Sequence, residues 1–198
     1  MRCRDRQHYE KFGDFFFVTS TIVGFIDLFD LRQICEIFMS ALKFYQTRGD
    51  MTVIGYAIMP NHFHMIVKTG PDNSISRLIG NIKKYTSHQI VDYLNSVGRT
   101  GLLTELARAA TKEAAIDCRI WKPRFDCFVL TNEQTIGQKL DYIHNNPIRC
   151  RLADDPTKWP HSSARNYAGC TEVELQIETN WECLGYNKIP SGGTPDGA

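Results

Sequence analysis

Tyr56-Ala57-Ile58-Met59-Pro60-Asn61-His62-Phe63-His64-Met65-Ile66-Val67 is the stretch from which the rest of the chain is read. The segment from Ile54 to Lys68 is mostly apolar and alternates, so it reads as strand, and Pro60-Asn61 is a turn signal. Thr52 to Met59 and His62 to Lys68 therefore form a hairpin. Residues two apart on a strand point to the same face, about 7 Å apart by strand rise. His62 and His64 then project side by side and can share one divalent ion, with Phe63 turned into the opposite layer. The plainer reading is a histidine pair at the solvated end of a strand. The pair alone does not decide between them.

Working outward, Phe15 to Phe25 is rich in Phe, Val, Thr and Ile and reads as a first strand. Asp30 caps a helix through about Arg48, in which Ile34, Ile37, Phe38, Ala41, Leu42 and Tyr45 recur at helical spacing before Gly49-Asp50 ends it. The loop Gly70-Pro71-Asp72-Asn73-Ser74 ends in the cap of a second helix that runs to about Leu94. Gly98 to Ala115 has helical propensity broken by Gly98 and Gly101, and is treated as a variable insertion. Ile120 to Leu130 reads as a fourth strand, interrupted by Pro123 and so at a sheet edge. Thr131-Asn132-Glu133-Gln134 caps a third helix, ending before Pro147. The order strand, helix, strand, strand, helix, strand, helix predicts an α+β fold. Its simplest form is a ferredoxin-like antiparallel sheet with helices packed on one face. One domain over residues 12–185 is expected, with a charged lead-in over 1–13 and a disordered tail over 187–198.

The 198 residues suffice for one core of ordinary size. Apolar content of 42% and charged content of 23% are those of a globular protein. A formal charge of +1 means that any nucleic-acid surface must come from local clustering. No apolar run reaches the 18 or so residues that span a bilayer, and the first residues lack an apolar signal core. A cytoplasmic protein without membrane partners is expected. The seven cysteines are scattered and contain no Cys-x-x-Cys pair, which argues against a zinc ribbon or a disulfide framework.

A second polar cluster, Leu140-Asp141-Tyr142-Ile143-His144-Asn145-Asn146-Pro147, closes the third helix. Tyr142 and Asn146 are four apart, hence on one helical face. An Asn146 amide oxygen can complete the coordination begun by His62 and His64, with Tyr142 beside the ion. A tyrosine oxygen attacks phosphodiesters, and a metal polarises the phosphoryl group attacked. The plainer reading of Tyr142 is a buried aromatic with its hydroxyl satisfied.

The hairpin from Tyr56 to Val67 resembles the His-hydrophobic-His strand of the single-tyrosine HUH transposases, most closely the REP-associated tyrosine transposases. Four further segments fit in order: Ile82-Lys83-Lys84-Tyr85-Thr86, Ile120-Trp121-Lys122-Pro123-Arg124-Phe125, Asp141-Tyr142-Ile143-His144-Asn145-Asn146-Pro147 and Trp159-Pro160-His161-Ser162-Ser163-Ala164. Together they cover about residues 12–170. The resemblance implies Tyr142 as catalytic nucleophile, His62 and His64 as metal ligands and Asn146 as the third. It also implies Mg²⁺ or Mn²⁺ as cofactor and single-stranded, often hairpin, DNA as substrate. Cleavage would leave a 5′-phosphotyrosine and a free 3′-hydroxyl. Such hard ions prefer oxygen, so a site with two imidazoles is open and completed by water and substrate phosphate.

Tyr85 is the rival nucleophile, because Gln89 follows it at the same spacing as Asn146 follows Tyr142. Lys68, Lys83, Lys84, Lys122, Arg124, Arg149, Arg151 and Arg165 flank the site segments as candidate DNA-binding residues, giving affinity but little sequence choice. Trp121, Phe125 and Trp159 are candidate stacking partners for unpaired bases, although Trp159 can equally seal the core. Asp141 is a candidate second hydrogen-bond partner for the site. A catalytically inactive, domesticated binder of single-stranded hairpins is the alternative to a strand transferase, and monomer and homodimer both remain open.

Overall fold

Phe15, Phe16, Phe17 and Val18 are all buried, which a strand achieves only when both faces of its sheet are covered. The computed structural model describes residues 13–113 and 120–185, so the expected lead-in and the expected tail over 187–198 fall outside the described residues. β1 (Phe15–Thr21), β2 (Met51–Met59), β3 (His62–Thr69) and β4 (Asp126–Val129) form one sheet in the order β2-β3-β1-β4. Every neighbouring pair is antiparallel. This is the expected α+β, ferredoxin-like arrangement of strands.

The helices differ from expectation in lying on both faces. Phe16 and Val18 join a core with α1 (Arg32–Thr47) and α2 (Ile75–Ser96), through Ile34, Phe38, Leu42, Leu78, Ile79 and Ile82. Phe15 and Phe17 join a second core with Ile136, Leu140 and Ile143 of α4 (Glu133–Arg149). The unbroken apolar run of β1 carries that information, because a one-sided sheet would alternate.

Several boundaries also move. β1 stops at Thr21, and Phe25 belongs to a 3₁₀ turn over Val23–Phe25. Asp30 lies in a second such turn, and Leu31 takes the position before α1 without a side-chain cap. Ser74 does cap α2, accepting from the Arg77 amide. The segment expected as an insertion contains α3 (Thr100–Glu113), whose Leu106 and Ala110 are buried. The expected strand over 120–130 is divided by Pro123 into an isolated Trp121–Ile22 bridge and the short edge strand β4. α4, capped by Asn132, runs through Pro147 to Arg149 rather than ending before the proline. In the last turn the missing proline amide removes a single intrahelical bond, and Cys150 and Leu152 amides bonded to the Asn146 and Pro147 carbonyls close the end.

Beyond β2 the segment around Ser162 pairs with its outer edge: the Ile58 amide bonds the His161 carbonyl and the Ser163 amide the Tyr56 carbonyl, each at 2.9 Å. That covers an edge that would otherwise be open. No helix among the described residues is long and apolar enough to cross a membrane.

Candidate active site

The pleat of β3 sends His62 and His64 toward α4 and Phe63 to the opposite face. There Phe63 packs on Phe38 (ring centroids 4.7 Å apart) and Trp121 (5.5 Å). The two imidazole centroids are 4.8 Å apart. His64 is 5% exposed, stacked on Phe17 at 5.6 Å. Its Nδ1 lies 2.7 Å from the hydroxyl of Thr19, the residue paired with it across β1. Its Nε2 is buried with no hydrogen-bond partner.

His62 is oriented from its other side. Asn61 donates from Nδ2 to the Asp27 carboxylate at 2.6 Å. A carboxylate only accepts, so the amide oxygen must face His62, where it lies 2.9 Å from Nδ1. Nδ1 of His62 therefore carries the proton and Nε2 keeps its lone pair. Burial disfavours the cationic forms. It pushes His64 down to about 3, with the charges of His62 and Lys139 adding to the effect, and lowers His62 as well. Both rings are therefore neutral at ordinary pH.

Tyr142, on α4, has its ring 5.2 Å from that of His64 and edge-on to Phe17 at 6.0 Å, and remains 37% exposed. Two cations flank it: Lys139 Nζ at 5.5 Å and the Arg149 guanidinium at 5.7 Å from the ring centre. Lys139 also lies over Phe17 (4.7 Å) and Phe128 (5.2 Å). It was not singled out in the sequence, although its position one helical turn before Tyr142 was the available signal. Tyr85, 47% exposed, is on α2, the helix that packs on the face opposite the imidazoles.

Asn146 is buried one turn beyond Tyr142, and its Oδ1 accepts only a weak bond from Cys150 Sγ at 3.4 Å among the contacts found for it. Asp141 is exposed and acts on His144, not on the imidazole pair. Burial pushes His144 down to about 4, and its Nε2 meets Ser163 Oγ at 2.9 Å, tying α4 to the segment along β2.

The remaining candidates separate into groups. Arg149 is at Tyr142, and Arg151 follows the end of α4, exposed, with φ of +59°. Lys83 on α2 donates to the Lys122 carbonyl at 2.7 Å, which brings the Lys83-Lys84 and Lys122 segments together, with Arg124 exposed nearby in sequence. Arg165 lies beyond the β2 edge, where its charge acts on the Tyr56 hydroxyl in the opposite core. Lys68 is engaged elsewhere, donating to the Leu184 carbonyl at 2.6 Å and pairing with Asp14 at 3.3 Å. Trp121 and Phe125 are buried and offer no open ring face, while Trp159 is half-buried with its indole N–H bonded to the Ile58 carbonyl at 2.9 Å. Among the described residues the exposed aromatics that the sequence did not single out are Phe25, Phe44 and Tyr167, of which Phe25 is the most exposed.

No group of three or more His, Cys, Asp or Glu with metal-holding geometry exists among the described residues. The orphaned Nε2 of His64, the freed Nε2 of His62 and the weakly held Asn146 oxygen are donors of the kinds an open divalent site takes.

Residues 31–146 match the family of IS200-like transposases. Among solved structures, the chain is similar to a REP-associated tyrosine transposase bound to a REP hairpin. Identity is 17%, with 94% of each chain covered and a TM-score of 0.59, a likeness of fold. A protein assigned as a transposase from Deinococcus radiodurans R1 is 13% identical over 68% of this chain and 91% of its own, with a TM-score of 0.43. No curated protein matches the chain in sequence.

Proposed function

The chain belongs to the IS200-like transposase family, and from that membership we propose that it nicks and rejoins single-stranded DNA through a covalent bond to Tyr142. The substrate is a strand folded in a hairpin, by analogy with the REP hairpin bound to the structure of similar fold. The observation that carries the reading is the 5.2 Å approach of the Tyr142 ring to His64, whose free nitrogen is otherwise without a partner.

Tyr142 Oη attacks the phosphorus of the scissile phosphodiester. An Oη–P bond forms, the P–O3′ bond breaks, the phenolic proton is given up and the departing O3′ takes one up. The strand then carries a free 3′-hydroxyl, and its other end is held as a 5′-phosphotyrosine, which keeps the energy for rejoining. Lys139 and Arg149, on either side of the ring, supply positive charge where the equatorial phosphate oxygens collect it. His62, His64 and Asn146 would hold Mn²⁺ or Mg²⁺, which polarises the phosphoryl group when bound. Thr19 and the Asp27–Asn61 pair keep the imidazoles turned toward it.

A hairpin oligonucleotide with single-stranded flanks and a label at its 3′ end, incubated with Mn²⁺, becomes covalently attached to the protein. Tyr142→Phe abolishes the adduct and leaves binding intact. An undiminished adduct in Tyr142→Phe moves the nucleophile to Tyr85. Salt-sensitive hairpin binding with no adduct under any divalent ion makes the protein a non-catalytic binder.

A further inference from the structure

Phe25 is 62% exposed and has φ of +55°, in the left-handed region that a bulky side chain rarely adopts. The residue before it, Gly24, is left-handed as well (φ +64°), so two successive residues are held in that conformation. The turn gains little apolar burial from Phe25, yet it is heavily braced. From below, α3 presses on it so closely that a Cβ added to Gly24 would lie 2.8 Å from the Ala109 methyl. From one side, the Ile22 and Phe29 amides bond the Asn61 and Pro60 carbonyls at 2.8 and 2.9 Å, in the hairpin turn that leads into His62. From the other, the Val23 amide bonds the Ile120 carbonyl at 2.9 Å, and Lys122 sets its ammonium 3.5 Å from the Phe25 ring centre. Beside Lys122 is a shallow depression of about 270 Å³ lined by Lys83, Lys84, Ser87, Trp121, Lys122 and Pro123. Strain and exposure held in place by three separate elements point to a ligand, because packing explains neither.

We propose that Phe25 is a stacking platform for one unpaired nucleobase of the DNA flank, with Lys122, Lys83 and Lys84 neutralising the phosphates beside that base. An aromatic ring supplies a flat surface that any base can use, and the lysines supply charge complementary to the strand but no sequence choice. The turn is bonded to the hairpin turn that precedes His62, so it stands at the His62 end of the sheet. α3 thereby has a role: it fixes the turn that offers the ring. The proposal rests on the reading that the protein acts on single-stranded DNA, and it names which part of the strand is held outside the reacting centre.

The test uses hairpin oligonucleotides carrying the fluorescent base 2-aminopurine at successive flank positions, together with binding measured by anisotropy. The intact protein quenches the probe at one or two adjacent positions. Phe25→Ala removes that quenching and weakens binding of the flanked hairpin by about 5- to 100-fold. The same change leaves binding of a blunt hairpin within twofold, and Phe25→Trp restores the quenching. If the intact protein binds flanked DNA and Phe25→Ala binds and quenches equally, the proposal is overturned. It is equally overturned if Phe25→Ala changes only the oligomeric state, for the ring would then be a contact between copies of the chain. Failure of the intact protein to bind any single-stranded flank overturns the proposal together with the functional reading beneath it, which separates the two failures.

Discussion

At the scale of single residues, each imidazole of the pair is set by a neighbour with no role in the chemistry itself. Thr19 holds Nδ1 of His64 from the adjacent strand, and Asp27 fixes the Asn61 amide that holds Nδ1 of His62. Thr19→Val keeps the shape of the side chain and removes its hydroxyl. It should weaken Mn²⁺ binding about 10- to 100-fold, read by electron paramagnetic resonance titration, with the circular dichroism spectrum unchanged. Unaltered affinity would show that His64 needs no such support. The period of two along His62-Phe63-His64 made the pair legible in the sequence. The supports were not legible, because Thr19 meets His64 through sheet pairing and Asp27 meets Asn61 through an irregular turn. Lys139 gains its place only when α4 packs on the sheet, which sets it over Phe17 and Phe128 as well as Tyr142.

At the scale of elements, α4 has to lie close enough to the sheet for Tyr142 to reach His64. Gly55, at the irregularity in the pairing of β2 with β3, makes that approach possible: a Cβ there would sit 2.5 Å from Leu140 Cδ2. Gly55→Ala should therefore cost about 1–3 kcal/mol in urea unfolding, as overpacking does. It should also slow adduct formation while Mn²⁺ affinity stays within a few-fold, since α4 carries Tyr142 and β3 the imidazoles. A variant that keeps the adduct rate would show that the helix tolerates the shift. The apolar periods of α1, α2 and α4 were readable as helices, and the β2–β3 hairpin was readable from its turn. The side of the sheet taken by α4 was not deduced, though the unbroken apolar run of β1 contained it. The continuation of α4 past Pro147 depends on carbonyls satisfied by residues after the helix, which no local propensity reports. That continuation is what brings Arg149 over Tyr142.

At the scale of the whole molecule, the site makes the metal-free fold sensitive to acid. His64 and His144 are neutral in the folded state, with pKa values of about 3 and about 4, below the 6.5 of the unfolded chain. The unfolded state binds more protons there, so the stability these groups carry is complete above pH 6.5 and is lost as pH falls toward the folded values. Between pH 6.5 and 5 the loss is about 2 kcal/mol for each histidine. His161, raised to about 10 by hydrogen bonds to Cys35 and Glu174, already contributes fully below pH 6.5 and does not offset it. The urea midpoint of the metal-free protein should drop clearly from pH 7 to pH 5; an unchanged midpoint would mean that these rings are better solvated than their burial indicates.

The imidazoles and Tyr142 come from well-separated parts of the chain. β3 is synthesised before α2, α3 and β4, and α4 emerges only after all of them. A chain still leaving the ribosome therefore displays the histidine hairpin for a long interval with no tyrosine to place beside it. With Tyr142 as the proposed nucleophile, the ability to break a strand would arrive only with the helix that finishes the sheet's second face.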